Sequence, residues 1–321
     1  MADAPTTPRF GAQSTALEVI AGHDLHGRNT IVTGGASGIG IETVRALATA
    51  GAAVTIAARN KQVAEDVAAT LRAETGNKAI DVGIVDLGSL ASVRQFVAAY
   101  LARQQPLHLL INNAGIMATP FGHTEDGFEL QFGTNHIGHF ALTTGLLPAL
   151  KAPGSARVVS LSSIGHRRCD IDFDDINFER RPYEPFLGYG QSKTANALFA
   201  VGLTQRYASD GITSNAVMPG GIMTGLQKHM PHEEKVALGW IDENGTPNAR
   251  FKSTAQGAAT SIWAAVAPET ADGGRYLEDC AVAQPWTSEK PFAGVMPYAL
   301  DPEHADRLWT VSEALVAGAQ A

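Results

Sequence analysis

The feature that most constrains the fold is a glycine-rich turn between a short apolar segment and a helical one near the amino end. Residues 30–33 predict a buried strand, and residues 41–47 predict the helix that follows. Between them lie Gly34, Gly38 and Gly40, spaced G-x-x-x-G-x-G rather than the commoner G-x-G-x-x-G. A strand, a tight turn and a helix start direct backbone N–H groups and the positive helix end at a pyrophosphate. The segment therefore predicts a dinucleotide-binding turn, although a plain connection would have a similar composition.

The alternation of apolar segments with helical ones continues along the whole chain. Such alternation is typical of a parallel sheet that is covered by helices on both faces. We therefore predict an α/β, Rossmann-type doubly wound parallel sheet of about seven strands, with helices on both faces. Strands are expected near residues 29–33, 53–58, 80–85, 106–112, 156–162, 211–218 and 275–278, and a last helix near 302–316.

The length of the chain sets the expected domain organisation. At 321 residues it is long for one small domain, but α/β folds can reach this length as a single unit. No internal repeat divides it, so we predict an arm over residues 1–25 and one domain over residues 26–321. Residues 221–251 mix apolar and charged side chains and predict a mobile lid over a substrate. An ordinary helical pair on the sheet edge is the alternative.

Charge and hydropathy exclude several classes of protein. A net charge of −8 and a pI near 5.7 argue against a nucleic-acid or anionic-membrane partner, which would call for clustered basic residues. No apolar run reaches the ~18 residues of a membrane span. The first residues lack the basic start and apolar core of a secretory signal. We therefore expect a cytoplasmic protein.

Metal binding is also not expected. The two cysteines, Cys169 and Cys280, are too few for a disulfide framework or a metal site. His136 and His139 have no carboxylate or cysteine at ligand spacing and fit structural histidines better. The acidic run that starts at Asp170 lacks the glycine and the final glutamate of a calcium loop.

A tyrosine and a lysine four positions apart, Tyr189 and Lys193, predict acid–base chemistry. On a helix this spacing places both side chains on one face, where an ammonium group would lower the ordinary phenol pKa of ~10. Ser162 and Ser163 precede the pair, and Ser163 is expected to face the site because its neighbour lies one position nearer the strand and points to the opposite side. Taken alone, the pair also fits a solvated helix face.

The residue that ends the second predicted strand bears on the choice of cofactor. Arg59 lies 19 positions after Gly40 (59 − 40), where an acidic residue would accept hydrogen bonds from the ribose of NAD. A guanidinium group can instead pair with a 2′-phosphate. The sequence therefore favours NADP(H) over NAD(H), and the alternative is an exposed arginine that opens the next helix.

In their order along nearly the whole chain, these motifs resemble those of the short-chain dehydrogenase/reductase family. Residues 134–140 and 189–196 are similar to the branch of retinol dehydrogenases and WW-domain oxidoreductases. So is the long separation of Ser163 from Tyr189, which is 26 positions (189 − 163). The family's pattern matches residues 33–40, Asp86, residues 112–115, Asn135, Ser163, Tyr189, Lys193, Pro219, Gly220 and Thr224.

The resemblance implies a role for each member of a catalytic set. Tyr189 would exchange a proton with the substrate oxygen, and Ser163 would hydrogen-bond that oxygen as charge develops on it. Lys193 would hold the nicotinamide ribose hydroxyls and lower the tyrosine pKa. Asn135 would fix a water near Lys193 and open a proton path to solvent.

Binding residues are also predicted. Substrate contacts are predicted for Ser163, for His166 and Tyr183 because they lie near the catalytic serine and tyrosine, and for Met223 in the segment over residues 221–251. Cofactor contacts are predicted for Gly34, Ser37, Gly38, Ile39, Gly40, Arg59, Asn60, Asp86, Leu87, Asn113, Ala114, Gly115, Tyr189, Lys193, Pro219, Gly220, Ile222 and Thr224.

The expected function is that of an NADP-dependent oxidoreductase. It would interconvert an alcohol with a ketone or aldehyde on an apolar small molecule. A non-catalytic NADP-binding sensor or interaction protein on the same fold is the alternative, because fold alone does not dictate function. Family members often pair through the helices that carry Asn135 and Tyr189, so a homo-oligomer is compatible with the sequence, although the long segment before Tyr189 could obstruct that contact.

Overall fold

The computed structural model describes residues 9–319 of the chain, and one sheet of eight strands runs through this part. The strand order is β3-β2-β1-β4-β5-β6-β7-β8. The first seven strands are parallel, and β8 pairs with β7 in the antiparallel sense. The strands are β1 Asn29–Thr33, β2 Ala53–Ala58, β3 Ile80–Ile84, β4 Leu109–Asn112, β5 Ala156–Leu161, β6 Ile212–Met218, β7 Tyr276–Glu278 and β8 Ala281–Val282.

The predicted doubly wound parallel sheet is confirmed, with one strand more than the seven expected. The extra strand, β8, has two residues, which are too few to establish an alternating pattern in the sequence. The strand order reverses between the neighbours β1 and β4. From β1 the sheet continues through β2 and β3 to one edge, and from β4 it continues through β5 and β6 toward the other. In such sheets the crevice beyond the carboxyl ends of these strands is where ligands bind.

Helices cover both faces of the sheet within residues 9–319. They are α1 Ala16–Ile20, α2 Gly38–Thr49, α3 Lys61–Thr75, α4 Leu90–Leu101, α5 Leu130–Phe132, α6 Gly138–Gly145, α7 Leu147–Lys151, α8 Pro185–Tyr207, α9 His232–Ala237, α10 Thr254–Val266 and α11 Pro302–Gly318. Helices α1, α2, α3 and α10 lie over one face, and α4, α6, α8 and α11 lie over the other.

Successive residues of the central strands contribute to opposite cores. Ile31 packs with the α4, α6 and α8 side, whereas Val32 packs with the α2 and α10 side. All four residues of β4 and four of the five in β1 are buried. The strands therefore consist of nearly continuous apolar runs, because neither face is left to solvent.

The predicted division at residue 25 does not match the packing. Residues 16–20 form α1, which packs against α2 and α10 and buries Ala16, Val19 and Ile20. A capping box between Thr15 and Glu18 begins this helix. The helix therefore joins the core of the domain instead of leading to it, and residues 1–8 of the predicted arm lie outside the described residues.

The carboxyl-terminal helix α11 covers α8. It extends to Gly318, slightly beyond the predicted end. Its Trp309 is buried against α6 and α8. The indole stacks on Phe199 with ring centroids 6.0 Å apart and packs edge-on against Phe140 at 4.9 Å. The Arg206 guanidinium lies 4.7 Å from the indole centroid. The helix that carries Tyr189 is thus enclosed by the chain's own carboxyl-terminal segment.

We expect Trp309→Ala to lower the free energy of unfolding by about 3–5 kcal/mol, because it removes a buried aromatic side chain and leaves a cavity. Urea unfolding followed by circular dichroism would measure the change. The neighbouring Thr310 is exposed on the same helix, so Thr310→Ala should stay within about 0.5 kcal/mol of the wild type. Equal effects from both substitutions would contradict the packing role of the indole.

Two histidines on adjacent helical turns are buried on the side of the sheet that α6, α8 and α11 cover. His136 Nε2 lies 2.8 Å from the Ser312 hydroxyl of α11, and His139 Nε2 lies 2.9 Å from the Thr33 hydroxyl. Burial lowers the pKa of His136 to about 3 and that of His139 to about 4. Both imidazoles are therefore neutral in the folded protein near pH 7.

We expect the free energy of unfolding to fall as the pH drops below ~6.5, because the unfolded chain then binds protons that the folded histidines do not. The loss should continue toward pH 4, at up to about 1.4 kcal/mol per pH unit for each buried histidine. Urea titrations at several pH values would measure the slope. His136→Gln should reduce the slope of the free energy of unfolding against pH by the contribution of one histidine. An unchanged slope would show that His136 titrates normally in the folded state.

Candidate active site

A cavity of about 1080 Å³ lies beyond the carboxyl ends of β1, β4, β5 and β6. All of the predicted cofactor residues except Gly40 line it, and so do Ser163, Tyr189 and Lys193 of the predicted catalytic set. Its volume is at the upper end of the ~300–1,000 Å³ typical of a pocket for a small ligand.

The glycine turn forms a cradle at one end of the cavity. Gly34 and Gly38 have φ values of +66° and +52°, which side chains rarely adopt. A Cβ on Gly40 would run into the Gly34 carbonyl, so Gly40 lets α2 pack closely on the turn. Ser37 precedes α2 and makes no side-chain cap, which leaves the first N–H groups of that helix facing the cavity.

The hydroxyl of Thr33 links this cradle to the end of β4. Its Oγ1 accepts hydrogen bonds from the backbone N–H groups of Asn113 and Ala114, at 2.9 and 3.0 Å. His139 Nδ1 donates to the Asn135 carbonyl, which leaves the neutral ring's Nε2 to accept from the Thr33 hydroxyl. A chain of hydrogen bonds thus joins the glycine turn to the turn that carries Asn135.

Three polar side chains lie at the end of the cavity that follows β2 and β3. Arg59 is exposed at the cavity and forms no ion pair with any of the described residues. Asp86 lines the cavity, and its Oδ1 accepts from the backbone of Gly88 at 2.9 Å. Asn60 begins α3 by accepting from the Val63 N–H at 3.1 Å, so its side chain acts there as a helix cap.

Two further features show that the residues present fit a nicotinamide dinucleotide. The Asn113 Oδ1 is buried without a hydrogen-bond partner among the described residues, while its Nδ2 donates to the Thr33 carbonyl. Across the cradle, the Thr224 methyl lies 3.4 Å from where a Cβ on Gly38 would stand. The segment after β6 therefore closes the second side of the cradle, as the positions of Pro219 and Gly220 predict.

Tyr189 and Lys193 lie on the same face of α8, as their spacing predicts. The Lys193 Nζ lies 5.5 Å from the Tyr189 ring centroid, and both residues are buried. Ser163 begins a 3-10 turn over residues 164–168 and lines the cavity. Ser162 also lines the cavity, but its hydroxyl donates to the Lys193 carbonyl at 2.8 Å. The choice of Ser163 as the catalytic serine stays a prediction.

The expected lowering of the tyrosine pKa is wrong for the protein by itself. Burial raises the pKa of Tyr189 to about 12, and a hydrogen bond with Ser163 offsets only part of that rise. Burial likewise lowers the pKa of Lys193 to about 8. The Lys193 Nζ donates to the Leu161 carbonyl at 3.0 Å. Removal of both groups from water favours their neutral forms.

Asn135 lies beside the cavity and does not line it. It belongs to a π-helical turn, Gly133–Ile137, of a kind often found at functional sites. Its Oδ1 accepts from the Ile116 N–H at 2.9 Å, and its Nδ2 donates to Ser192 Oγ at 2.9 Å. A Cβ on Gly115 would lie 3.3 Å from Asn135 Oδ1 and 3.5 Å from Lys193 Nζ. Asn135 and Lys193 therefore converge on this glycine.

Three of the predicted substrate residues do not line the cavity. His166 is fully buried, with Nδ1 2.7 Å from the Ser163 carbonyl and Nε2 accepting from the Met296 N–H at 3.1 Å. The Tyr183 hydroxyl donates to the Thr119 carbonyl at 3.0 Å and accepts from Gln131 Nε2 at 2.7 Å. His166 and Tyr183 thus satisfy buried polar groups, which a position near the catalytic serine or tyrosine cannot reveal.

Met223 is the third residue outside the cavity. Ile222 and Thr224, on either side of it, do line the cavity. Neighbouring side chains of an extended segment point in opposite directions, so Met223 faces away. Only Ser163 of the predicted substrate residues therefore lies where a substrate could reach it.

Other residues line the substrate end, and several of them were not predicted. Arg167 and Arg168 belong to the 3-10 turn that Ser163 begins, and that adjacency was the one signal in the sequence. Phe292 comes from a distant loop and carried no signal, and neither did Phe186. Leu226, Leu238, Trp240, Arg250 and Phe251 belong to the segment that was predicted to cover the substrate.

The segment over residues 221–251 covers the predicted catalytic tyrosine. It contains a 3-10 turn, Gly225–Gln227, and the helix α9. Its Met230 is buried in a small cluster with Tyr189 and Met117, against which Leu226 and Trp240 pack. The apolar lining predicted for this segment is present, and its mobility stays a prediction.

Two other sequence expectations concern metals and membranes. Within residues 9–319, no group of three or more histidine, cysteine or acidic side chains is arranged to hold a metal ion. Over the same range, none of the helices combines the length and the apolar character that a membrane span requires.

Known proteins resemble the chain over most of its length. Residues 28–235 match the sequence model of the family described as short chain dehydrogenase. A probable oxidoreductase of Streptomyces antibioticus is 47% identical over 89% of this chain and 96% of its own length. Retinol dehydrogenase 12 of Mus musculus is 40% identical over 96% of this chain and 92% of its own.

A solved structure supports the same relationship. A protein from Mycobacterium paratuberculosis superimposes with a TM-score of 0.71 and 32% identity, covering 93% of this chain and 97% of that one. The sequence matches, the strand order and the cavity agree with one another. The chain therefore belongs to the short-chain dehydrogenase/reductase family, whose members are oxidoreductases that bind a nicotinamide cofactor.

Proposed function

We propose that this protein is an NADP(H)-dependent oxidoreductase that interconverts an alcohol with a ketone or aldehyde on an apolar small molecule. The observation that carries the proposal is the convergence of Ser163, Tyr189 and Lys193 on one cavity, next to the segment that follows β6. The retinol dehydrogenase relative acts, by its name, on an apolar alcohol, which supports an apolar substrate.

The bound nicotinamide supplies the chemistry of hydride transfer. Tyr189 gives a proton to the substrate oxygen during reduction and takes it back during oxidation. The Ser163 hydroxyl donates to that oxygen where negative charge develops. Lys193 would hold the ribose hydroxyls of the cofactor through Nζ, and its positive charge would favour the phenolate that oxidation requires. Asn135 keeps the backbone at Ile116 in place beside Lys193.

Burial of Tyr189 affects its protonation state. With a pKa raised to about 12, the phenol is protonated near neutral pH and can donate a proton. Oxidation of an alcohol requires the phenolate instead. We therefore propose that the rate of oxidation increases with pH.

The alternative is a sensor or interaction protein that binds NADP(H) without turnover. Such a protein needs the glycine cradle and has no use for a buried tyrosine and lysine at the nicotinamide end. Burial of Lys193 is costly, because it lowers the pKa of the ammonium to about 8. This cost favours an enzyme. A cytoplasmic location and the oligomeric state stay predictions.

We expect Arg59→Ala to weaken NADPH binding roughly tenfold or more and to leave NADH binding nearly unchanged, because only NADPH offers a 2′-phosphate to the guanidinium. Fluorescence titration with both cofactors would measure the two affinities. Arg94→Ala, an exposed position on α4, is the matched control and should bind like the wild type. Equal affinity of the wild type for NADH and NADPH would refute the cofactor assignment.

We expect Tyr189→Phe to lower kcat for carbonyl reduction by roughly a hundredfold to ten-thousandfold, because the proton donor is lost and the ring is kept. NADPH binding should persist in this variant. Tyr207 ends the same helix outside the cavity, so Tyr207→Phe serves as the matched control with wild-type kcat. NADPH oxidation with apolar aldehydes would be followed by absorbance. Retained activity in Tyr189→Phe would exclude the tyrosine as general acid.

A further inference from the structure

The cavity is far more basic than the protein that surrounds it. The whole chain carries a net charge of −8, yet basic side chains outnumber acidic ones along the cavity wall. Arg59 is assigned above to a 2′-phosphate, and Lys252 already pairs with Asp279. The basic residues of the wall are Arg59, Arg167, Arg168, Lys193, Lys228, Arg250 and Lys252, and the acidic ones are Asp86 and Asp279.

Three arginines of this set lie at the substrate end, away from the adenosine groups. Arg167 and Arg168 are on the 3-10 turn that Ser163 begins. The backbone of that turn touches the helix turn of Tyr189, since a Cβ on Gly165 would lie 3.0 Å from the tyrosine ring. Arg250 comes from the opposite wall, where it donates to the Gly239 carbonyl at 3.2 Å.

Aromatic rings lie next to these guanidinium groups. The Cζ atoms of Arg167 and Arg250 lie 5.9 and 5.1 Å from the centroid of the same ring, that of Phe292, which is largely exposed. Arg168 lies 4.7 Å from the Phe186 ring. A contact with an aromatic face leaves the N–H groups of a guanidinium available to an anion, in the bidentate geometry that carboxylates and phosphates share.

None of the three arginines has an acidic partner within residues 9–319, whereas Arg206 and Arg275 pair with nearby aspartates. Arg167 is partly buried, and burial together with Arg168 lowers its pKa. Arg168 and Arg250 are exposed to solvent, and all three arginines line the cavity that also contains the predicted catalytic hydroxyls.

We propose that the substrate carries an anionic oxygen group, a carboxylate or a phosphate, at a distance from the reacting carbon, and that Arg167 and Arg250 bind it. The apolar part of the substrate then lies along Phe186, Trp240 and Phe251, between the anion and Tyr189. This inference rests on the proposed alcohol and carbonyl chemistry. It narrows the substrate class from apolar molecules to amphipathic anions.

The test compares matched neutral and anionic substrates. Nonanal and azelaic semialdehyde have chains of equal length and differ in the terminal carboxylate. With NADPH, we expect kcat/KM to be roughly tenfold or more higher for the anion, in line with a charged hydrogen bond. In the double variant Arg167→Gln, Arg250→Gln the ratio of the two kcat/KM values should fall toward one. Added salt should reduce the wild-type ratio as well.

A binding measurement distinguishes a carboxylate from a phosphate as the bound group, and it does not require turnover. Calorimetry of the NADPH-saturated protein with nonanoate, nonyl phosphate and nonanol does not depend on catalysis. Tighter binding of either anion than of nonanol, lost in the double variant, supports the inference and identifies the group. Arg94→Gln is the control for a general loss of positive charge and should match the wild type.

The outcomes distinguish the two proposals. Equal binding of anions and nonanol, or equal kcat/KM for the two aldehydes, overturns the inference and leaves the proposed oxidoreductase intact. A preference for anions that survives in the double variant also overturns it, since other groups would then bind the anion. Tight binding of anions through the arginines without turnover of either aldehyde sustains the anion site and counts against the proposed reaction.

Discussion

The attachment of α8 to the end of β5 is the constraint on which the rest of the site depends. The Leu161 carbonyl accepts from Lys193 Nζ at 3.0 Å and from Asn196 Nδ2 at 2.9 Å, and Ser162 Oγ donates to the Lys193 carbonyl at 2.8 Å. These hydrogen bonds are buried and so resist exchange with water. They set the distance between the strand that delivers Ser163 and the helix that delivers Tyr189.

Enclosure of that attachment determines the electrostatics of the site. α11 covers α8, residues 221–251 cover Tyr189, and the two titratable groups are consequently shifted toward their neutral forms. In an enclosed site of this kind, a charged group of a ligand interacts more strongly with charged side chains, because the local dielectric constant is low. The wall of the cavity is basic, although the protein as a whole is acidic.

Prediction from sequence succeeded where the signal was local. The glycine cradle, the seven parallel strands and the shared face of Tyr189 and Lys193 follow from spacing within one or two elements. It failed for His166 and Tyr183, because a polar side chain near the site can face either the cavity or a buried carbonyl. It also missed α1, a five-residue helix stabilised by packing on α2 and α10.

The sequence by itself determined the sheet, the dinucleotide cradle and the family, because apolar periodicity and glycine spacing report on the backbone. Tertiary structure alone decided which side chains meet at the substrate end. Arg167 and Arg250 contact the same Phe292 ring although they are far apart in the chain. It also decided the direction of the Tyr189 pKa shift, since burial depends on helices and loops contributed from the whole chain.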